Sequence, residues 1–535
     1  MLPNRFVSVT VSRMRLGTLT IRSSAVAIGL VLVMSVSGCA VGPKYHRPSA
    51  PVPSQFKESA APTNPGSATT PIAYSDWWRV FDDPVLDRLE KEADAANQDI
   101  RVAVARVDQA EAAARYARSF LSPTLSLGTS ASRTREAQNR PNNGNTGGRA
   151  ATYNDFQLPL FFSYEIDAWG RVRHSLESAR DVQQATAADL RFVRLSVEAN
   201  LALDYYSLRE TDAERAILDS TMEQLQQALD VTTNRFGDGI ASELEVEQAK
   251  TLLDQTKAQA QALGLQRSQL EHAVAVLAGR PASEFSLPSS PWSGLPPSIP
   301  PGLPADLLAR RPDIAEADRY VAAATAQIGV AATAYLPQLS LTGFAGFEGT
   351  NTASLFSWQN SIASLGAAAL TPLFNGGRIR AGVDQARAAY RGSLAQYEKT
   401  VLTAYQEVED QLAALRILAG EAQAETDAVS DAKRAEEIAM NRYKAGLVGY
   451  LDVLVAQTTL LSNQRTAEQI SGQRMVATVV LVKALGGGWL GVSAASPSKP
   501  NTNQSGETAI PATRVRRAPN GTTTGDANQT LPLPE

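Results

Sequence analysis

The sequence predicts a mainly α-helical protein with a membrane β-barrel, built from a duplicated unit of helix, strand, strand, long helix and helix. Three observations predict it. Residues 160–280 and 373–486 contain no proline, which costs ~3 kcal/mol inside a helix, so both stretches read as long helices. Ile379, Val383, Ala386, Tyr390, Leu394, Tyr397, Val401, Tyr405, Val408, Leu412 and Leu415 take ten steps in 36 residues, the period of one helical face. A helix from about 378 to 443 is ~100 Å long at ~1.5 Å per residue, too long for a compact domain.

The third observation is an internal repeat. Pro123-Thr-Leu-Ser-Leu127 matches Pro337-Gln-Leu-Ser-Leu341 at an offset of 214. Gly170-Arg-Val-Arg173 matches Gly377-Arg-Ile-Arg380 at an offset of 207, and Arg235-Phe236, Leu244, Val246, Ala249 and Gly279 keep that offset. A constant spacing over more than 100 residues marks a duplication. The seven-residue difference falls between Leu127 and Gly170, where the Gly/Asn-rich stretch 138–148 gives the first copy a longer loop.

In chain order, residues 1–38 carry Arg5, Arg13, Arg15 and Arg22 without an acid, then an apolar run from Ala25 to Val36 and small residues before Cys39. This is the pattern of a secretory signal, with Met14 as a second candidate start. Residues 39–75 are Pro/Ser/Ala/Thr-rich and read as an extended segment rather than a core. The first repeat is expected over 76–280. Residues 281–304 hold eight prolines and form an irregular connection. The second repeat is expected over 305–491, and the polar residues 492–535 read as a disordered tail.

The strand Phe156, Leu158, Leu160, Phe162, Tyr164, Ile166 alternates with Gln157, Pro159, Phe161, Ser163, Glu165 and Asp167. Leu125, Leu127 and Leu339, Leu341 begin two more strands. Residues 361–371 form a fourth with blurred faces. Pro123 and Pro337 end a helix and start a strand, and Gly376-Gly377 turn a strand into a helix. Alternation by itself fits ordinary soluble hairpins. Beside ~100 Å helices, a shared barrel is the consistent reading. Four strands cannot close a membrane barrel, and an open edge is costly in lipid. Four from each of three chains would give twelve, with the helices forming a tube below.

Composition removes other classes. Lys+Arg number 50 against 54 Asp+Glu, so no basic excess is available for nucleic acid. Removal of residues 1–38 takes four positive charges, bringing the net charge from −4 to −8. One cysteine permits no internal disulfide and no thiolate metal cluster, and His46, His174 and His272 lack metal-ligand spacing. No phosphate loop or nucleophile–base pair is present, so no enzyme activity is expected. Gly343-Phe-Ala-Gly-Phe-Glu-Gly349 has the wrong spacing for a nucleotide loop and continues a strand.

Several segments carry a resemblance to a known family. They are Cys39-Ala-Val-Gly-Pro-Lys-Tyr-His-Arg-Pro48, Trp77-Trp78, Phe81-Asp-Asp-Pro-Val-Leu-Asp-Arg-Leu89 and Asn97, followed by Leu303-Pro-Ala-Asp-Leu-Leu-Ala-Arg-Arg-Pro-Asp-Ile314 with Glu316-Ala317. Pro372-Leu-Phe-Asn-Gly-Gly377 and Arg442-Tyr-Lys-Ala-Gly-Leu-Val-Gly-Tyr-Leu-Asp-Val453 complete the set. In this order they resemble the TolC-like outer-membrane efflux proteins, in particular the NodT/OprM lipoprotein branch.

The resemblance implies a homotrimer in the outer membrane. It would reach through the periplasm to an adaptor (membrane fusion) protein and an inner-membrane efflux pump. It also implies that Cys39 is lipidated, with no other cofactor; Ala40 after it favours export to the outer membrane. The turns holding Arg235, Gly237 and Gly239, and Arg442 and Gly446, would be the adaptor-contacting tips. Asp452 would match an acidic constriction position, with Glu245 its counterpart in the first copy. Tyr443 would hold the tip closed, with Phe236 in its place in the first copy, and Leu451 would narrow the pore. Val455 and Val448 depart from relatives that carry an Asp and an Arg there, which leaves the ion-pair part of a latch open. The function implied is a passive exit duct for small molecules expelled by the pump. The alternatives are the outer-membrane component of type I protein secretion, or a coiled-coil envelope lipoprotein that would need no strands.

Overall fold

A computed structural model describes residues 41–58, 74–137, 152–292, 294–299, 302 and 304–487. The signal segment, Cys39, the Gly/Asn-rich stretch 138–148, Leu303 and the tail 492–535 lie outside the described residues.

After a helical turn at Tyr74–Phe81 come helices α1 (Pro84–Ala96) and α2 (Gln98–Ser119). Strands β1 (Thr124–Leu127), β2 (Ser130–Arg135) and β3 (Thr152–Ile166) follow, then helices α3 (Arg171–Gly237) and α4 (Glu243–Leu277). The second half runs α5 (Pro304–Arg310), α6 (Pro312–Thr333), β4 (Gln338–Gly349), β5 (Ser361–Leu370), α7 (Arg378–Lys444) and α8 (Tyr450–Ala484). Helices α3 and α7 have 67 residues each, α4 and α8 have 35 each, and α2 and α6 have 22 each. Arg171 to Arg378 and Glu243 to Tyr450 are the same step of 207 residues, so the duplication seen in residue types sets the element boundaries. Every residue of the α7 stripe from Ile379 to Leu415 is buried or half-buried.

The segments that carried the resemblance have local reasons. Asp83 caps α1 by accepting from the Val85 and Leu86 amides, with Pro84 just inside the helix. Its other oxygen accepts from Tyr205 Oη at 2.7 Å, which ties the cap to α3. Asn97 caps α2 through the Asp99 and Ile100 amides. Trp77 and Trp78 are buried with Leu86, Leu89, Tyr205 and Leu208 in the largest apolar core. Arg311 is buried and bonds Asp313, Glu407 at 2.7 Å and the Ala484 carbonyl at 2.8 Å, so it joins α6, α7 and α8 as a structural tie.

Residues 41–58 form an extended strap, and one of them does enter a core. Phe56 is buried with Leu307, Ile314, Tyr397 and Val401, which corrects the expectation that this segment contributes none. The strap is tied along its length. The Val41 amide donates to the Trp169 carbonyl, Tyr45 Oη donates to Asp318, and the Lys57 and Glu58 amides donate to the Glu409 carboxylate at 2.7 and 3.0 Å. The central connection also contributes to a core. Phe285 and Leu287 are buried, and Asp212 accepts from Arg209, Arg267 and the Ser290 amide.

The strands form one antiparallel sheet in the order β1/β2, β3, β4, β5. Segments β1 and β2 are one strand in two pieces: Leu127 faces Leu160 and Ser130 faces Gln157 without a slip in register. The break sits opposite Pro159, which accepts from the Gly128 amide but has no N–H to return. Across β4, Pro159 faces Gly346, so the proline is flanked by two glycines. Leu125, Leu127, Leu160, Phe162, Tyr164, Ile166, Leu339, Leu341 and Leu365 fall on one face. Ser163, Glu165, Ser340 and Thr342 fall on the other, which also carries the Phe161–Phe344 pair. The sheet therefore has an apolar and a polar side, with β1/β2 and β5 at its edges. Among the described residues, no helix is long and apolar enough to cross a membrane.

Candidate pore constriction at the helical tip

The two long hairpins, α3–α4 and α7–α8, reverse at matching turns. Gly239 and Gly446 both have φ of 72°. The Ile240 amide donates to the Arg235 carbonyl at 2.8 Å and the Leu447 amide to the Arg442 carbonyl at 2.9 Å, closing each helix end with a left-handed residue. A side chain would have room at either position, so glycine is required by the backbone angle and not by crowding.

Behind the turns, the hairpins meet in a small core of Ala249, Tyr443, Tyr450 and Val453. Tyr443 is only 2% exposed, and its ring stands edge to face with that of Tyr450 at 5.5 Å. The Arg235 guanidinium lies 4.8 Å from the centre of the Tyr443 ring and donates to the Lys444 carbonyl at 3.3 Å. Tyr443 Oη makes a long hydrogen bond of 3.5 Å to Glu245. Arg235 and Glu245 belong to the first hairpin and Tyr443 to the second, so these contacts tie the two repeats together. Burial beside Tyr443 pushes the Tyr450 hydroxyl up to about 12, so it stays protonated at neutral pH.

The expected site residues therefore divide into two sets. Tyr443, Glu245 and Arg235 come together at the seam. Leu451, 59% exposed, and Asp452 stand on an uncovered face of α8 with Val455. Glu245 and Asp452 occupy the third position of their helices, yet Glu245 is half-buried and Asp452 is exposed. Phe236 is exposed where its counterpart Tyr443 is buried. Gly237 and Arg442 lie at the exposed turns. Tyr450 was not anticipated as a site residue: it falls within the Arg442–Val453 motif, but its repeat counterpart is Glu243. Among the described residues, no group of His, Cys, Asp and Glu is arranged to hold a metal.

Comparison with known proteins agrees with this architecture. The model of a family described as Outer membrane efflux protein matches residues 89–280 and 303–487. The solvent efflux pump outer membrane protein SrpC of Pseudomonas putida is 32% identical over 467 residues, covering 86% of this chain and 98% of that protein. The pyoverdine export outer membrane protein OpmQ of Pseudomonas aeruginosa is 34% identical over 418 residues, covering 77% and 87%. Among solved structures, the outer-membrane channel OprN superposes with a TM-score of 0.77 at 28% identity, covering 84% of this chain and 100% of that one. The CmeC outer membrane channel of Campylobacter jejuni does so with 0.79 at 27%, covering 84% and 95%.

Proposed function

The chain belongs to the outer membrane efflux protein family and is an outer-membrane efflux channel, and on that premise we propose that it is the passive exit duct of a three-part export line for small molecules. Three copies share one barrel, an inner-membrane pump supplies the energy, and a periplasmic adaptor seats on the helical tips. The observation that carries this reading is the pairing of a two-faced sheet, too small to close alone, with helices of 67 residues leaving one end of it. Solvent, toluene, antibiotic and pyoverdine in the relatives' names support small molecules as cargo, without selecting one chemical class.

Cys39 carries the lipid in this reading. Val41, two residues later, is bonded to Trp169 at the helix end of β3, so acyl chains on Cys39 would enter the leaflet beside the foot of the barrel. Arg442, Gly446, Gly237 and Gly239 present the adaptor surface, while Arg235 supports it from the seam. Tyr443 and Glu245 hold the tip narrow, with Leu451 and Asp452 on the uncovered face of α8 lining the passage.

The test is a deletion strain challenged with toluene, antibiotics and an exported protein substrate. Loss of tolerance to small molecules, restored by the wild-type gene, is expected. Unchanged tolerance together with lost protein export would overturn the reading in favour of secretion.

A further inference from the structure

Each repeat turns from its second strand into its long helix through a short corner, and the two corners differ in chemistry. In the first, Asp167 caps α3 by accepting from the Val172 and Arg173 amides at 3.0 and 2.9 Å. Trp169 Nε1 then donates to the Pro337 carbonyl at 2.7 Å, at the junction of α6 and β4. In the second corner, the counterpart of Asp167 is Phe374, whose ring cannot accept from the first-turn amides of α7 as the Asp167 carboxylate does in α3. Leu373 and Phe374 are 96% and 92% exposed, more than any other large apolar side chain among the described residues. A capping carboxylate is thus replaced by an uncovered aromatic ring, an arrangement that calls for a partner.

The junction touched by the first corner, at Pro337, has its repeat counterpart at Pro123. There Tyr116, Phe120 and Leu121 are uncovered, with the Tyr116 and Phe120 rings edge to face at 5.1 Å. In one chain this junction precedes β1 at one edge of the sheet, and the second corner follows β5 at the other edge. A barrel closed from several copies sets β5 of one against β1 and β2 of the next. The C-terminal end of β5 then stands level with the N-terminal end of β1. The register that pairs Ile166 with Leu339 becomes, through the two repeat offsets, Leu373 opposite Leu125 of the partner subunit.

We propose that Leu373 and Phe374 dock on the apolar patch formed by Tyr116, Phe120 and Leu121 of the partner subunit, as a clasp at each corner where barrel meets helical tube. It stands between chains at the kind of corner that Trp169 and Pro337 bridge within one; the repeat counterpart of Trp169 is Gly376, which has no side chain to do so, and Leu373 and Phe374 take that task. The clasp rests on the shared-barrel reading above and adds that closure of the barrel and docking of the helices are coupled at this corner.

The experiment uses the full-length lipoprotein in outer membranes, where Cys39 is the only natural cysteine. The Phe374→Cys, Phe120→Cys double variant is oxidised and resolved on denaturing gels. A ladder of covalent dimer and trimer is expected, absent from either single variant. The second corner also lies beside its own α6–β4 junction, since Gln338 pairs with Leu370. A Phe374→Cys, Tyr335→Cys variant therefore tests docking within the chain. Cross-linking there without a ladder in the first pair would overturn the clasp. Native mass of the single variants separates the two claims. If no trimer is found, the shared barrel itself fails. Intact trimers without a ladder would sink the clasp alone and leave the pair facing lipid. Leu373→Ser with Phe374→Ser should still give trimers, but ones that dissociate at a lower temperature than wild type.

Discussion

Glu90 is fully buried, and neither of its carboxyl oxygens has a hydrogen-bond partner among the described residues. Burial, and then the charge of Glu198, push its carboxyl well above the usual range. Glu198 itself is raised to about 7, mainly by burial, against the opposing hydrogen bond from Trp77 Nε1 and the charge of Arg194; Asp94 and Asp76 add to the rise. A carboxyl raised in the folded state keeps its proton where the unfolded chain has released it. Stability therefore falls as pH rises from about 4.5 through 7, and the full cost is present above that window. For Glu198 the cost is on the order of 3 kcal/mol. Glu198→Gln and Glu90→Gln keep the shape and remove the titration. Thermal unfolding at pH 5 and pH 8 should show a midpoint that drops for wild type and changes less for either variant. An equal drop in all three would show that these carboxyls are not the source. The neighbouring Trp77, Asp83 and Asn97 were legible as motif residues. Glu90 was not, because only the packed fold shows that its helix face is closed off from water.

At the scale of elements, helices announce themselves and strand interruptions do not. The long helices were readable because proline exclusion and a 3.6-residue stripe act over dozens of positions, and α7 begins at Arg378, the residue those signals indicate. The first barrel strand was readable in place but not in form. Its division into β1 and β2 comes from Pro159 on the neighbouring strand, a cross-strand effect that one-dimensional alternation cannot carry. The same proline makes Gly346 indispensable. A Cβ built there would lie 2.2 Å from the Leu158 carbonyl oxygen and 2.5 Å from Pro159 Cα, both backbone atoms that cannot step aside. Gly346→Val should cost about 3 kcal/mol or more and prevent assembly of a heat-resistant barrel. Gly366→Val, on the adjacent strand with nothing within 4 Å of the added carbon, serves as the control and should assemble. The comparison is made by heat-modifiability on gels. Normal assembly of the Gly346 variant would show that the strands can separate at this point.

For the whole molecule, the two helix reversals were legible from the repeat, since Gly239 and Gly446 fall at the turns, with Tyr443, Glu245 and Asp452 beside them. The division of labour between the acids was not legible, because the repeat treats Glu245 and Asp452 as equivalents and only packing tells them apart. Glu245 lies under Tyr443 and is half-buried, whereas Asp452 stands in the open on α8 beside Leu451. In the proposed trimer each position would form a ring of three carboxylates, and a ring exposed to the passage would attract cations and repel anions. The two neutralisations should therefore differ. Asp452→Asn should shift the reversal potential in a salt gradient toward zero and lower the cation preference on the order of two-fold, with conductance little changed. Glu245→Gln keeps an acceptor for the Tyr443 hydroxyl and should alter selectivity less. Tyr443→Ala with Arg235→Ala removes the ring and the guanidinium that join the hairpins, and should raise conductance while leaving selectivity to Asp452. Trimers in planar bilayers report both quantities at once. If Glu245→Gln and Asp452→Asn lower selectivity equally, both acids line the passage, and the seam between the hairpins must open in the assembled channel. If neither does, the passage is narrowed by Leu451 and its neighbours without a charged ring.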